Sequence, residues 1–434
     1  MKGGENLAIH IVSEGESVYS IARQFGISPE RIITDNALIY PYSLAVGQAL
    51  LILIPSDVYS VRANDTIYSI ARQFGTTPEA IFRNNPALRG DFRIYEGQTI
   101  VLSYEGESDE REEIFTTGYA YPFIESDPLE TTLPYLTTIS AFTYGFRYDG
   151  TLVPLDDERI LSASSIYSCA PIMLLSTLGD DGRFDSALSS AVFNDQGALD
   201  TLYSQILETI EEKGYRGLEI DIEYIPPADT DAFISFLSDL KAILSPRGLI
   251  LSVALAPKTS ADQSGLLYEA HDYKRIGAIA DVVFLMTYEW GYAYGPPMSV
   301  APIGSVRAVV RYALSEMSAE KIILGIPNYG YDWTLPYYTG ATRARTISNS
   351  EAILIAAKEN ATIEFDERAM TPFFFYRDDD GREHVVHFED ARSIAARLDL
   401  RDEYRLRGVG AWNLGSFFPA LWLQVNYRYG IESL

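Results

Sequence analysis

The sequence predicts an α/β chain: a barrel of eight parallel strands with helical segments between them and a small α+β insertion, preceded by two small βααβ units. Three observations carry this. From Phe115 onward, short apolar β-rich runs alternate with helical patterns, the texture of a parallel sheet closed on itself. Arg216-Gly217-Leu218-Glu219-Ile220-Asp221-Ile222-Glu223-Tyr224 reads with period two, Leu218, Ile220 and Ile222 on one face and Glu219, Asp221 and Glu223 on the other. And Tyr19-Ser20-Ile21-Ala22-Arg23-Gln24-Phe25-Gly26 returns as Tyr68-Ser69-Ile70-Ala71-Arg72-Gln73-Phe74-Gly75, an internal repeat.

Length and composition bound the rest. At 434 residues the chain exceeds one average domain, and a barrel of roughly 250 residues or more plus smaller units fits it. The apolar fraction of 47% can fill a large core, and the formal net charge of -26 argues against nucleic acid or anionic membrane as partners. A single cysteine, Cys169, excludes an intramolecular disulfide and any thiolate zinc cluster, and four histidines leave little for a His-rich metal site. No stretch is long and apolar enough to span a bilayer, and Met1 to Asn6 lead into folded-looking sequence without a signal-peptide core. A monomer is expected.

In the repeat, Val18, Ile21, Ala22 and Phe25, and likewise Ile67, Ile70, Ala71 and Phe74, fall at i, i+3, i+4, i+7, so each copy opens with an amphipathic helix. Gly26 and Gly75 suit the left-handed position after it. Ser28-Pro29-Glu30 and Thr77-Pro78-Glu79 then read as N-cap, first-turn proline and a dipole-favoured acid, starting a second helix. Flanking strands are expected at 8–12 and 50–53, and at 58–61 and 99–102. The units span 7–54 and 57–104.

Residues 105–114 open with an acidic run without apolar periodicity, read as a short solvated linker. The barrel occupies 115–434, with strands expected at Thr116–Tyr121, Thr138–Thr143, Ile172–Ser176, Gly217–Glu223, Ile250–Ala254, Val282–Thr287, Ile322–Gly325 and Gly408–Trp412. Helical patterns such as Leu199–Lys213, Thr230–Leu244 and Val306–Met317 lie between them. The alternation breaks at 331–389. There a helix over Ser348–Glu359, a strand at Thr371–Tyr376, a turn at Asp380-Gly381 and a return strand at His384–Phe388 form the α+β insertion.

The acidic face of the central strand holds the candidate chemistry. Same-face neighbours on a strand sit ~6.6 Å apart, and carboxylates that close raise one another's pKa. An exposed strand would mix charges along such a face. At a barrel mouth, acids converge instead.

This stretch resembles the signature of family 18 glycoside hydrolases, Asp-Gly-x-Asp-x-Asp-x-Glu, matched at Gly217, Asp221 and Glu223, with Arg216 replacing the first Asp and Glu219 the second. Met286-Thr287-Tyr288-Glu289 is similar to the family's Met-x-Tyr-Asp, with Glu289 for Asp. Gly325-Ile326-Pro327-Asn328-Tyr329-Gly330 and Gly410-Ala411-Trp412-Asn413 are also family-like, and the resemblance covers about 115–430. It implies a TIM (β/α)8 barrel in which Glu223 is the acid and base. Asp221 orients the substrate's 2-acetamido group, Tyr288 hydrogen-bonds its carbonyl, and Glu219 stands in the inner proton relay. Trp412 is the floor under the sugar, and Tyr119, Met286, Glu289, Trp290, Asn328 and Tyr329 belong to the substrate groove. The nucleophile is the substrate's own acetamido oxygen, so neither cofactor nor metal is implied.

The repeated unit resembles the LysM domain through Gly15-Glu16-Ser17 and Asn64-Asp65-Thr66, Asn36 and Asn85, and Gly47-Gln48 and Gly97-Gln98. LysM domains bind N-acetylglucosamine-containing glycans between two loops. Here the resemblance points to Gly15, Ser17, Val18 and Ile39 in the first unit and Asp65, Thr66, Ile67 and Leu88 in the second. The plainer reading is that Ser17, Thr66, Asn36 and Asn85 cap helices and turns.

Together the modules look most like spore-cortex-lytic peptidoglycan N-acetylglucosaminidases, associated with spore coat, cortex or cell wall. The partners are then peptidoglycan or chitin-like glycans. Two rivals remain: a chitinase, whose groove needs several exposed Trp platforms, and a lectin without activity. The chain has four Trp.

Overall fold

The computed structural model describes residues 7–108, 110–179 and 182–434; Met1 to Asn6 and the linker's Asp109 lie outside them. Eight parallel strands close a barrel: β1 (Glu113–Ala120), β2 (Thr138–Phe146), β3 (Ala170–Leu175), β4 (Gly217–Ile220), β5 (Ile250–Leu255), β6 (Val282–Leu285), β7 (Ile322–Pro327) and β8 (Gly408–Trp412). The circuit shuts where Thr117–Ala120 of β1 pair in register with Thr138–Ala141 of β2. Helices Gln196–Lys213, Thr230–Leu244 and Ile303–Glu316 lie near their expected bounds. The strands that fall furthest short of their expected ends are β6, which stops at Leu285 rather than Thr287, and β4. The ladder of β4 stops at Ile220 rather than Glu223: the Asp221 N–H still donates to the Leu175 carbonyl, and Tyr224 then adopts a left-handed φ of 56°.

The period-two reading of β4 describes what is inside. Leu218, Ile220 and Ile222 are fully buried against the helices, while Glu219 faces the barrel axis. The insertion is a five-stranded antiparallel sheet packed by helix Asn349–Lys358, whose N-cap Ser348 accepts from the Glu351 N–H. Its sheet sits beside the barrel mouth because Gly330–Thr334 follows β7 almost directly.

Each βααβ unit is built as its sequence reads. Ser17 and Thr66 close capping boxes with Ser20 and Ser69, and Gly26 and Gly75 take the left-handed position. Asn36 and Asn85 do more than cap. Asn85 donates to the Ile81 and Val101 carbonyls at 2.8 Å and accepts from the Val101 N–H at 2.9 Å, pinning helix to strand; Asn36 does the same to Ile32 and Leu51. Asn85→Ala is expected to destabilise the chain by about 1–3 kcal/mol, since buried carbonyl and amide partners lose their mates. A thermal melt checks it, with hydrolysis by the folded fraction unchanged.

The units are not beads on a string. Phe82 and Phe92 of the second meet Tyr167 of the barrel, whose hydroxyl donates to the Gly90 carbonyl at 2.7 Å. Gly90 has φ 69°, and a Cβ there would lie 2.7 Å from the Glu130 carbonyl oxygen, so only glycine allows this approach. Arg83 donates to Asn426 and to the Pro134 carbonyl. On the other side, the first unit meets the insertion: the Ile363 N–H donates to the Val46 carbonyl at 2.8 Å, and Gly47 lies against Ile363 so closely that a Cβ would overlap its carbonyl oxygen. The acidic run between is mostly exposed, yet Arg111 donates to the Asn426 carbonyl.

Candidate active site

The mouth of the barrel gathers the acids of β4 and of the loop after β6. Glu219 lies deepest, accepting from Tyr119 at 2.6 Å, Ser140 at 2.8 Å and Ser252 at 3.4 Å, one donor from each of β1, β2 and β5. Burial raises its pKa against those three hydrogen bonds. Asp221 is next outward. Burial first, then the charges of Glu223 and Glu219, push its carboxyl well above the usual range. Its Oδ1 is buried with no hydrogen-bond partner among the described residues. Glu223 stands at the lip, its carboxyl raised by burial and then by the charge of Glu289. The acid of β4 and the two just beyond its end thus line up from a carboxyl with three hydrogen-bond donors inside to two with raised pKa toward the mouth.

Glu289 has a left-handed φ of 68°, uncommon for a non-glycine residue and a feature that clusters at functional sites. Its chain is partly exposed, but its carboxylate is held by the hydroxyls of Tyr329 and Tyr331. Burial raises its pKa as well. Tyr288 is buried between these groups, and burial and the surrounding acids push its phenol well up, so it remains a donor. Trp412, at the end of β8, packs against Phe142 at 4.8 Å, Tyr119 at 5.5 Å and Tyr121 at 6.1 Å between ring centres.

These side chains wall a cavity of about 500 Å³, lined by the polar groups of Asp221, Glu223, Tyr288 and Glu289 together with apolar and aromatic side chains that include Met286, Trp412, Tyr121 and Phe142. A second recess of about 380 Å³ continues from it, sharing Tyr121, Glu289 and Trp412 and adding Asn328, Tyr329 and Tyr331. No group of three or more His, Cys, Asp or Glu side chains placed to hold a metal occurs among the described residues. An apolar-walled cleft with a few convergent acids and one indole floor is suited to a sugar ring, and can protonate a leaving oxygen.

The family model for glycosyl hydrolases family 18 matches residues 136–416, and the LysM model matches 10–53 and 59–103. The chain belongs to glycosyl hydrolase family 18. It is 45% identical over 300 residues to the cortical fragment-lytic enzyme of Bacillus subtilis (strain 168), an alignment covering 69% of each chain. To the enzyme of the same name from Bacillus anthracis it is 36% identical over 425 residues, 96% of this chain and 97% of that one. Among solved structures, the Bacillus megaterium QM B1551 spore cortex-lytic enzyme SleL matches over the full length of both chains, with 39% identity and a TM-score of 0.83. A chitinase from Chromobacterium violaceum, 22% identical with a TM-score of 0.67, shares the fold.

Within this family 18 barrel, most of the expected groove residues meet. Trp290 and Tyr119 line neither recess: Trp290 is half-buried against the core, and Tyr119 is buried against Trp412 with its hydroxyl on Glu219. Asn328 lines the second recess, but its amide donates to the Asn413 and Ser416 carbonyls at 2.8 Å, fixing the loop after Trp412. In the LysM units, Ile39 is exposed, Leu88 is mostly buried, and Gly15 has open space around it. Asp65 accepts from Tyr59 and the Arg62 N–H, both at 2.7 Å. Val18 and Ile67 need correction. At 3% and 0% exposure their side chains belong to the module cores, as their place in the amphipathic repeat requires.

His271 escaped sequence reading. Its Nδ1 accepts from the Ala256 N–H at 3.0 Å, so the proton sits on Nε2 and is donated to the Ile222 carbonyl at 3.1 Å. Burial lowers its pKa to about 4, keeping it neutral. It holds the backbone between Asp221 and Glu223 from outside the cleft. A lone histidine 49 residues from its target carries no motif.

Proposed function

We propose that this family 18 enzyme hydrolyses spore-cortex peptidoglycan after N-acetylglucosamine, with retention, the substrate's acetamido oxygen acting as nucleophile. The observation that carries this reading is Asp221: a buried carboxyl with an unpartnered Oδ1, between two further acids and beside Tyr288. A buried polar atom without a mate calls for a ligand donor, and an acetamido N–H supplies one. Asp221 then turns the amide so that its oxygen attacks the anomeric carbon, and stabilises the positive oxazolinium ion that forms. Tyr288 donates to that amide oxygen. Trp412 carries the ring. Glu223, whose proton affinity burial and Glu289 raise, gives its proton to the departing glycosidic oxygen and later takes one from water. Family 18 is an exception to the two-carboxylate scheme in using its substrate this way.

Cortex glycan is favoured over chitin on two grounds. The relatives matching at 36–45% identity are cortical fragment-lytic enzymes. And of the four tryptophans, Trp333 and Trp422 are fully buried and Trp290 does not line the cleft. That leaves Trp412, without the row of platforms a chitin groove needs. Mass spectrometry of fragments released from cortex peptidoglycan tests the reading. N-acetylglucosamine at the new reducing ends is the expected result; muramic acid there would overturn the bond assignment, and a preference for chitin oligomers would overturn the substrate.

A further inference from the structure

We propose that the barrel cleft and the loops of both LysM units form one track for a single N-acetylglucosamine-containing strand, so that the LysM units act as fixed remote subsites and not only as wall anchors. This rests on the glycan-hydrolase reading above. The second recess of the cleft is bounded at its far side by Gly415 and Ser416. The same two residues border a further groove of about 600 Å³, whose other walls include Leu38 and Ile39 of the first LysM unit and Pro86 and Ala87 of the second. Three openings therefore follow one another, from Glu223 past Trp412 to the two LysM loops. Apolar walls interrupted by a few polar groups suit the alternating faces of a sugar chain.

The docking of the modules gives this juxtaposition its force. The Tyr167 bond to Gly90 and the Val46–Ile363 bond fix each LysM unit to the barrel body. An independent anchor on a flexible tether raises local concentration by an amount set by its linker. Here direct contacts dock both units, and a strand seated at Ile39 is held at a set distance from the acid. Remote contacts that are equal in ground and transition states lower KM and leave kcat alone.

The test uses the full chain and soluble cortex glycan fragments separated by length. For the unaltered chain, KM is expected to fall as fragments outgrow the cleft, with kcat flat. Ala87→Trp, which fills the groove from an exposed position, should raise KM for the long fragments roughly 10-fold or more and leave the shortest cleaved fragment unaffected, which also reports correct folding. A KM independent of length in the unaltered chain, or an equal rise at all lengths in the variant, overturns the track. Should no fragment of any length be hydrolysed, the hydrolase reading itself fails, and fragment affinity measured by calorimetry decides the track: affinity that does not grow with length overturns it.

Discussion

Glu223→Gln is expected to lower turnover by about 10⁴-fold or more while leaving glycan affinity nearly intact. General acid–base catalysis contributes about 10²- to 10⁴-fold, roughly 3–5 kcal/mol of barrier. In the proposed cycle Glu223 serves both half-reactions, which places the loss at the upper end. Glutamine keeps the size and one hydrogen-bonding oxygen, and Asp221, Tyr288 and Trp412 keep their places around the sugar. Turnover and affinity measured on one preparation decide it. A variant retaining most of its rate would mean another acid does the work. A wild-type chain that binds but never cleaves would make the protein a lectin.

Asp221→Asn should give the second-largest loss, together with a moved pH profile. The charge of Glu223 raises the affinity of Asp221 for a proton, so the two titrate as a pair. Without Asp221 the coupled titration collapses to Glu223 alone, still raised by burial and by Glu289. The alkaline limb of the profile, where a proton is lost from the pair, therefore moves. Stability moves the opposite way to activity. The folded-state pKa of Asp221 is raised, so the stability linked to it is present below the unfolded pKa of about 3.9 and lost as pH rises through the folded value. The asparagine variant escapes that loss: its Tm should exceed the wild type's at neutral pH and converge with it in strong acid. An unmoved profile with normal turnover would remove Asp221 from the mechanism.

What the sequence made legible was whatever repeats at short range. The paired helices of the LysM units, the alternation in β4 and the Asp380-Gly381 turn all depend on neighbours within a few positions. The extent of β4 was not legible, because alternation continues through Glu223 although the ladder does not. His271 was invisible because its partners, Ile222 and Ala256, are brought to it by the closing of the barrel. Val18 and Ile67 were misplaced because a family's binding loop and a module's core share those positions, and only burial separates them. The docking of Gly90 on Tyr167 spans 77 residues and leaves no local trace beyond a glycine.

The last rung of β4 is the bond from the Asp221 N–H to the Leu175 carbonyl, at 3.0 Å. Past it, the Ile222 carbonyl is tied to His271, and then Tyr224 turns left-handed. The two carboxyls proposed to share the reaction thus belong to different mechanical regimes. One is fastened by a neighbouring strand; the other stands past the sheet's edge, on backbone fastened by a histidine instead. The amide clamp therefore depends on the barrel's own ladder, and the aim of the proton carrier depends on an imidazole reached from outside the cleft.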